Sequence, residues 1–324
     1  MPLSHCSLTG IDETTPLVEL AVVSDMYPYA EWGFLYAPRR QGGPGRYPSL
    51  ARMQRAFKEL PHYVRTALHV GSPGVTQLLG GESVVSGLVE QVRARGGRVQ
   101  LNFDPTESSV DLSGLRQFVL ARPDLVFVTQ HNENHKRVTQ ALAGVANHAI
   151  LFDSSLGRGM SPQSWPPAMP SMPCGYAGGL GPENLAQQLP RIYEAAGQAV
   201  FWIDMEERLR DEHDRFSMTL ARKCLEIVSA EASERLDFPA PRPLRRRCEP
   251  MALIDSGLMR DDDNAREFEM MLRTVLRATR DVDDPHVADV RRRAEGLLLR
   301  KGTVPVAREE EQTVATTPSS QRLS

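Results

Sequence analysis

Short apolar runs alternate with amphipathic stretches from the first residues to about position 230, a pattern that predicts parallel strands covered by helices. Strands are predicted at His5 to Ile11, Glu31 to Ala37, Val64 to Val70, Val99 to Phe103 and Leu125 to Thr129. A sixth runs from Ala149 to Phe152 and stops on Asp153, a seventh reaches Gly178-Gly179-Leu180, and an eighth spans Ala199 to Ile203. Helices are predicted over about Thr15 to Met26, Leu50 to Glu59, a span ending near Arg95, Leu112 to Ala121, and Asn134 to Ala146. Two more start at Pro182-Glu183-Asn184 and cover Met218 to Ala230. Between the sixth and seventh strands a proline-rich crossing replaces the helix. Eight such repeats predict an α/β chain closed as a (β/α)8 TIM barrel over residues 1–232.

The composition changes after that point. LDFPAPRPLRRRCEP lies in a predicted linker, 233–260, and a helical pair follows over 261–303. Phe268, Met271, Leu272, Val275 and Leu276 form a stripe at helical spacing. Asp284 is a candidate N-cap before Pro285, and Gly302 a stop signal. So small a pair cannot stand alone, which predicts docking on the barrel or on a second subunit as a homodimer. Residues 304–324 read as a disordered tail.

A hydrophobic share of 41% supplies a large core, and a net charge of −3 argues against a nucleic-acid partner. No apolar run approaches the ~20 residues a membrane span needs. The opening MPLSHCSLTG has neither a basic start nor an apolar block, so no signal peptide is predicted. Cys6, Cys174, Cys224 and Cys248 lack any C-x-x-C pairing and read as reduced thiols of a cytoplasmic protein.

In such a barrel the strand C-termini carry the chemistry. They offer Thr9 and Asp12; His69; Gln100, Asn102 and Asp104; Gln130; Asp153; the Gly178-Gly179 pair; and Asp204 with Glu206. Asp153 heads the loop framing the site, although it could merely accept hydrogen bonds from that loop. Asp104 before Pro105 suits a turn equally well, and Glu206 with Glu207 reads most simply as a solvated loop. The glycine pair feeding a helix offers bare N–H groups to an anion. Lysine occurs only at positions 58, 136, 223 and 301, outside every predicted strand, which argues against a Schiff-base aldolase. His131, Glu133 and His135 sit on one loop, a weak metal signal, and no P-loop or dinucleotide fingerprint occurs. What remains is cofactor-free acid–base work on a small phosphorylated substrate, with no metal.

These residues together resemble phosphoribosylanthranilate isomerase over about positions 5 to 232. The resemblance is carried by Thr9-Gly10-Ile11, by Gly33-Phe34 with Gly45-Arg46-Tyr47-Pro48-Ser49, and by Val99-Gln100-Leu101-Asn102. Further along it rests on Asp153 with Gly157–Gly159 and Trp165, on Gly178-Gly179-Leu180 with Glu183-Asn184, and on Ile203-Asp204 before Arg210-Asp211. It implies an Amadori-type rearrangement of a phosphorylated aminosugar without a cofactor. Asp153 would be the general acid, a role that needs a carboxyl still protonated near neutrality. Arg46 would face a substrate carboxylate, Gln100 and Asn102 would bind substrate, and Gly178 and Gly179 would hold the phosphate.

Two departures stand out. Thr9 replaces the family's cysteine base, which leaves Asp12 or Asp104 for that role, since Cys6 points to the other face of its strand. After the eighth strand, Met205-Glu206-Glu207-Arg208 replaces small phosphate-binding residues, so Arg208 would have to turn in to offset two carboxylates. A barrel that has lost its base and serves as a binding or assembly protein is therefore a second reading. A sugar-phosphate lyase or epimerase is a third.

Overall fold

The computed structural model describes residues 3–106, 110–153 and 161–234, together with Arg292 and Glu295. The predicted linker (apart from its first two residues, which fall in the last helix), the helical pair apart from those two positions, the tail and the Gly157–Gly159 loop lie outside them. The barrel belongs to the first of two units into which the chain divides, Met1–Asn264 and Ala265–Ser324.

Eight parallel strands close in sequence order: β1 (Leu3–Thr9), β2 (Ala30–Tyr36), β3 (Arg65–Gly71), β4 (Arg98–Asn102), β5 (Val126–His131), β6 (His148–Asp153), β7 (Cys174–Ala177) and β8 (Phe201–Met205). Closure is made by β1 against β8, where Ser7 lies beside Asp204 and Leu8 beside Met205. The helices are α1 (Leu17–Met26), α2 (Leu50–Glu59), α3 (Gly74–Leu79), α4 (Ser83–Ala94), α5 (Leu112–Leu120), α6 (Lys136–Ala141), α7 (Leu185–Ala196) and α8 (Met218–Glu234). No described helix is long and apolar enough to cross a membrane.

Local chemistry sets several boundaries. Ser49 caps α2 by accepting from the Arg52 N–H at 3.1 Å, and Asp111 caps α5 by accepting from Ser113 at 2.9 Å. The single helix predicted before Arg95 is two, because Gly80 and Gly81 interrupt it and Gly81 takes a positive φ of 78°. The helix predicted over Asn134 to Ala146 is shorter, entered through a 3₁₀ turn at Glu133–His135. The seventh strand stops at Ala177, short of the glycine pair. Between β6 and β7 the described residues 161–173 contain no helix.

Each strand is buried on both faces. Outward side chains meet the helices: Trp32 donates its Nε1–H to Ser24 of α1 at 2.8 Å, and Phe34 packs edge-on to Phe57 of α2. Inward side chains fill the lumen, where Val128, Ala149, Leu151 and Trp202 form an apolar cluster with Ala177 against it. Beside this cluster lies a buried ionic group. Glu31 accepts from Ser7 Oγ at 2.8 Å and from Arg98 Nε at 3.0 Å. The Arg98 guanidinium lies 4.6 Å above the Trp202 ring, and His5 stacks on the same indole at 5.7 Å. Burial alone would push the Glu31 carboxyl up, but the Arg98 charge, with hydrogen bonds from Arg98 and Ser7, holds it well below the usual range. Burial, reinforced by Arg98, lowers His5 to about 3, so it packs as a neutral ring.

Gly175 makes room for the indole. A Cβ built there would stand 2.1 Å from Trp202 Cε2, so Gly175→Ala must displace a ring wedged in the lumen. A loss of about 1–3 kcal/mol is expected, read as a lower urea midpoint at unchanged slope. An unchanged midpoint would mean that the indole is free to move.

Candidate active site

The C-terminal ends of the strands surround a cavity of about 160 Å³. Arg46, Gln100, Asn102, Gln130, Asp153, Gly178, Gly179, Asp204, Glu206 and Glu207 all reach it. Asp153 and Asp204 flank Ala177 because of register. Asp153 pairs with Ala177, and Ala177 with Asp204, so the aspartates lie two strands apart at one level. Their Cα atoms are therefore roughly 10 Å apart, and the intervening side chain is only a methyl group.

Asp204 is the perturbed member. It is 8% exposed, and Thr9 Oγ1 donates to its Oδ1 at 2.7 Å. Burial pushes its carboxyl up to about 7, against the opposing pull of the Thr9 hydroxyl and Arg98, with Glu31 and Asp153 adding to the rise. Thr9 thus positions a carboxyl and is not itself a proton acceptor. Gly33 permits this, since a Cβ there would lie 2.4 Å from Thr9 Oγ1. Asp153, 6% exposed, accepts from Gln130 Nε2 at 3.2 Å. Gln100 donates its Nε2 to Asn102 Oδ1 at 3.0 Å along β4. His69, buried on β3, is lowered to about 4 by burial and stands as a neutral wall residue.

The other candidates lie elsewhere. Asp12 is spent on structure: it accepts from the Phe216 N–H at 2.6 Å and from Thr14 and Thr15, and pairs with Arg210 at 3.0 Å. Asp12 is not among the residues that line the cavity. Asp104 lies beyond the end of β4 and accepts from Thr106 N and Oγ1 in an exposed turn, away from the cavity. Arg208 does not turn in. Its stem packs where a Gly181 Cβ would go, and its guanidinium lies 3.8 Å from Glu183.

Arg46 reaches the mouth but is already engaged. Its Nη1 donates to Glu206 at 2.8 Å and to Glu207 at 2.9 Å, and its Nη2 to Asp214 at 3.3 Å. Burial works against its charge, yet the Glu207 and Glu206 carboxylates keep it firmly ionised. Glu206 and Glu207 therefore line the cavity as well, with Glu207 still exposed to solvent as a surface loop residue would be. Burial raises Glu206, and Arg46 only partly offsets that.

The glycine turn is built as a tight entry to α7. Gly178 and Gly179 take φ of 139° and 55°, conformations that favour glycine. Asn184 closes the turn, its Oδ1 accepting from the Gly181 N–H at 3.0 Å and its Nδ2 donating to the Gly179 carbonyl at 2.8 Å.

A second cavity, about 540 Å³, lies between His131, Phe152, Pro162 and Pro166, where the crossing replaces a covering helix. None of the mouth carboxylates lines it.

No family model matches the chain, and neither does any curated protein. Among solved structures it is similar to phosphoribosyl anthranilate isomerase from Thermotoga maritima, with 15% identity over 70% of this chain and 100% of that one and a TM-score of 0.46. The isomerase from Thermus thermophilus gives 15%, 70%, 99% and 0.46 by the same measures. TrpF from Jonesia denitrificans gives 14%, 72%, 99% and 0.46.

Proposed function

We propose that the protein is a cofactor-free isomerase of a small sugar, an aldose or aminoaldose, working by general acid–base catalysis. The observation that carries this reading is the buried Asp204 carboxyl, raised to about 7, at the same level as Asp153 with Ala177 between them. A carboxyl that keeps its proton near neutrality and a second carboxyl lining the same opening can divide acid and base roles between them.

Asp204, holding its proton near neutrality, serves as the acid. Asp153, already accepting from Gln130, serves as the base. In the proposed sequence Asp153 removes the proton from C2 while Asp204 protonates the oxygen, or the imine nitrogen, at C1. The resulting enediol or enaminol returns when Asp153 delivers its proton to C1 and the Asp204 carboxylate takes the proton from the C2 hydroxyl. Each positioned transfer contributes on the order of 10²–10⁴-fold. The Amadori-type rearrangement implied by the sequence resemblance is the same set of transfers with nitrogen at C1. The acid role expected for Asp153 passes to Asp204, and the base role expected for Asp12 or Asp104 passes to Asp153.

The test is solvent exchange. In D2O, with a panel of aldoses and aminoaldoses, turnover produces ketose carrying solvent deuterium at C1, read by NMR. If folded protein yields neither ketose nor deuterium with any of them, the isomerase reading fails. A binding protein without turnover is the second reading. It is favoured by the engaged Arg46 and by a cavity of about 160 Å³, below the roughly 300 Å³ at which ligand pockets usually start. Ligand binding unchanged by Asp153→Asn, with no turnover, would support it.

A further inference from the structure

The mouth is short of free positive charge. Carboxyl groups from Asp153, Asp204, Glu206 and Glu207 line the cavity, and Arg46 is the lone guanidinium among its described lining residues. That guanidinium is shared among Glu206, Glu207 and Asp214. The neighbouring Arg210 offers no relief, because it pairs with Asp12 at 3.0 Å and with Asp214 at 3.1 Å and donates to the Gly10 carbonyl. Arg208 is held on the Glu183 side.

An independent observation comes from Gln100, which is 5% exposed and lines the same cavity. Its Nε2 is spent on Asn102, which leaves its Oε1 without a donor among the described residues. An acceptor at the cavity wall can take a donor from a ligand. A sugar hydroxyl or ammonium supplies one, and a phosphate group set against the same atom would not. A phosphate placed at the Gly178-Gly179 turn would also share the cavity with Glu206 and Glu207, and would have to take Arg46 from them.

We infer that this mouth selects a hydroxyl-rich neutral or cationic sugar, and that Glu206 and Glu207, by pinning Arg46, are the specificity-determining residues that turn phosphate esters away. The sugar class rests on the acid–base isomerase reading, whereas the charge preference does not. The preference is therefore tested by binding and not by turnover.

Calorimetry on the full chain with ribose, glucosamine and ribose 5-phosphate reads it directly. Wild type is expected to bind ribose or glucosamine at least about tenfold tighter than ribose 5-phosphate. The Glu206→Gln/Glu207→Gln double variant leaves Arg46 with Asp214 as its only carboxylate partner among the described residues and should shift that ratio toward the phosphate ester by about tenfold or more. Arg46→Gln leaves the carboxylates unneutralised and should tighten glucosamine relative to ribose, a check that holds even if the double variant fails to fold. Three results would overturn the inference: a wild-type preference for ribose 5-phosphate, a ratio unmoved in these variants, or no binding of any probe to any form. Loss of isomerase activity in Asp153→Asn with these ratios intact would leave the charge preference standing. Absence of turnover in wild type with the ratios as expected would remove only the isomerase reading.

Discussion

Asp204→Asn is expected to lower turnover on the order of 10²–10⁴-fold and, unlike most buried substitutions, to leave the protein more stable above pH 7. Both effects come from one carboxyl. Folding raises its proton affinity from an ordinary value of 3.8 to about 7, chiefly through burial. Between those two pH values the folded chain holds the proton more tightly than the unfolded chain. Ionising Asp204 therefore works against folding, and stability drains away as pH rises through that window. Asparagine keeps the shape, and its Oδ1 still accepts from the Thr9 hydroxyl, but it never ionises. The gain over wild type should be absent near pH 4 and reach a few kcal/mol by about pH 8.

Thermal melts of the two proteins at those pH values measure the gain. An equal offset at both would mean that Asp204 titrates as an ordinary carboxyl. Asp153→Asn should cost turnover on the same scale. The double variant should be little worse than either single one, because groups that act as a unit are not additive.

The second large effect is on stability alone. Glu31→Ala should cost about 3–5 kcal/mol, because it strands the Arg98 guanidinium in the lumen over Trp202 without its counter-charge. Removing both charges, as Glu31→Leu/Arg98→Leu, should recover much of that loss, and the coupling energy follows from the mutant cycle. Urea denaturation of the four proteins is the measurement. Additive losses would show that the ion pair is not what holds this layer of the barrel together.

The barrel was legible because every strand is an apolar run bounded by turn residues. Each strand end falls within a few residues of the predicted position, and α2 begins at Leu50 and ends at Glu59, as the pattern indicates. Strand ends drifted because strands buried on both faces carry no alternation to fix the register. In the site, Gln100, Asn102, Asp153 and the glycine pair share one cavity, since all follow from their places at strand ends.

Asp12 and Asp104 misled for a local reason. An aspartate followed closely by threonine readily spends its oxygens on the turn it starts, as both do here. Asp204 went without a role although it is the last residue but one of the eighth strand. Its perturbation comes from burial, which the sequence does not display, and its partner Thr9, 195 positions away, becomes a neighbour only when the first strand closes on the last. Glu206 and Glu207 hid in the same way, because their partner Arg46 sits in the loop after β2.

The most direct measurement needs no substrate. Carboxyl-carbon NMR of protein labelled at aspartate, with Asp204→Asn to assign the resonance, gives the midpoint at which Asp204 releases its proton. A midpoint near 7 is the predicted result. A midpoint near 4, the ordinary value for an exposed aspartate, would contradict an Asp204 that donates a proton at neutral pH.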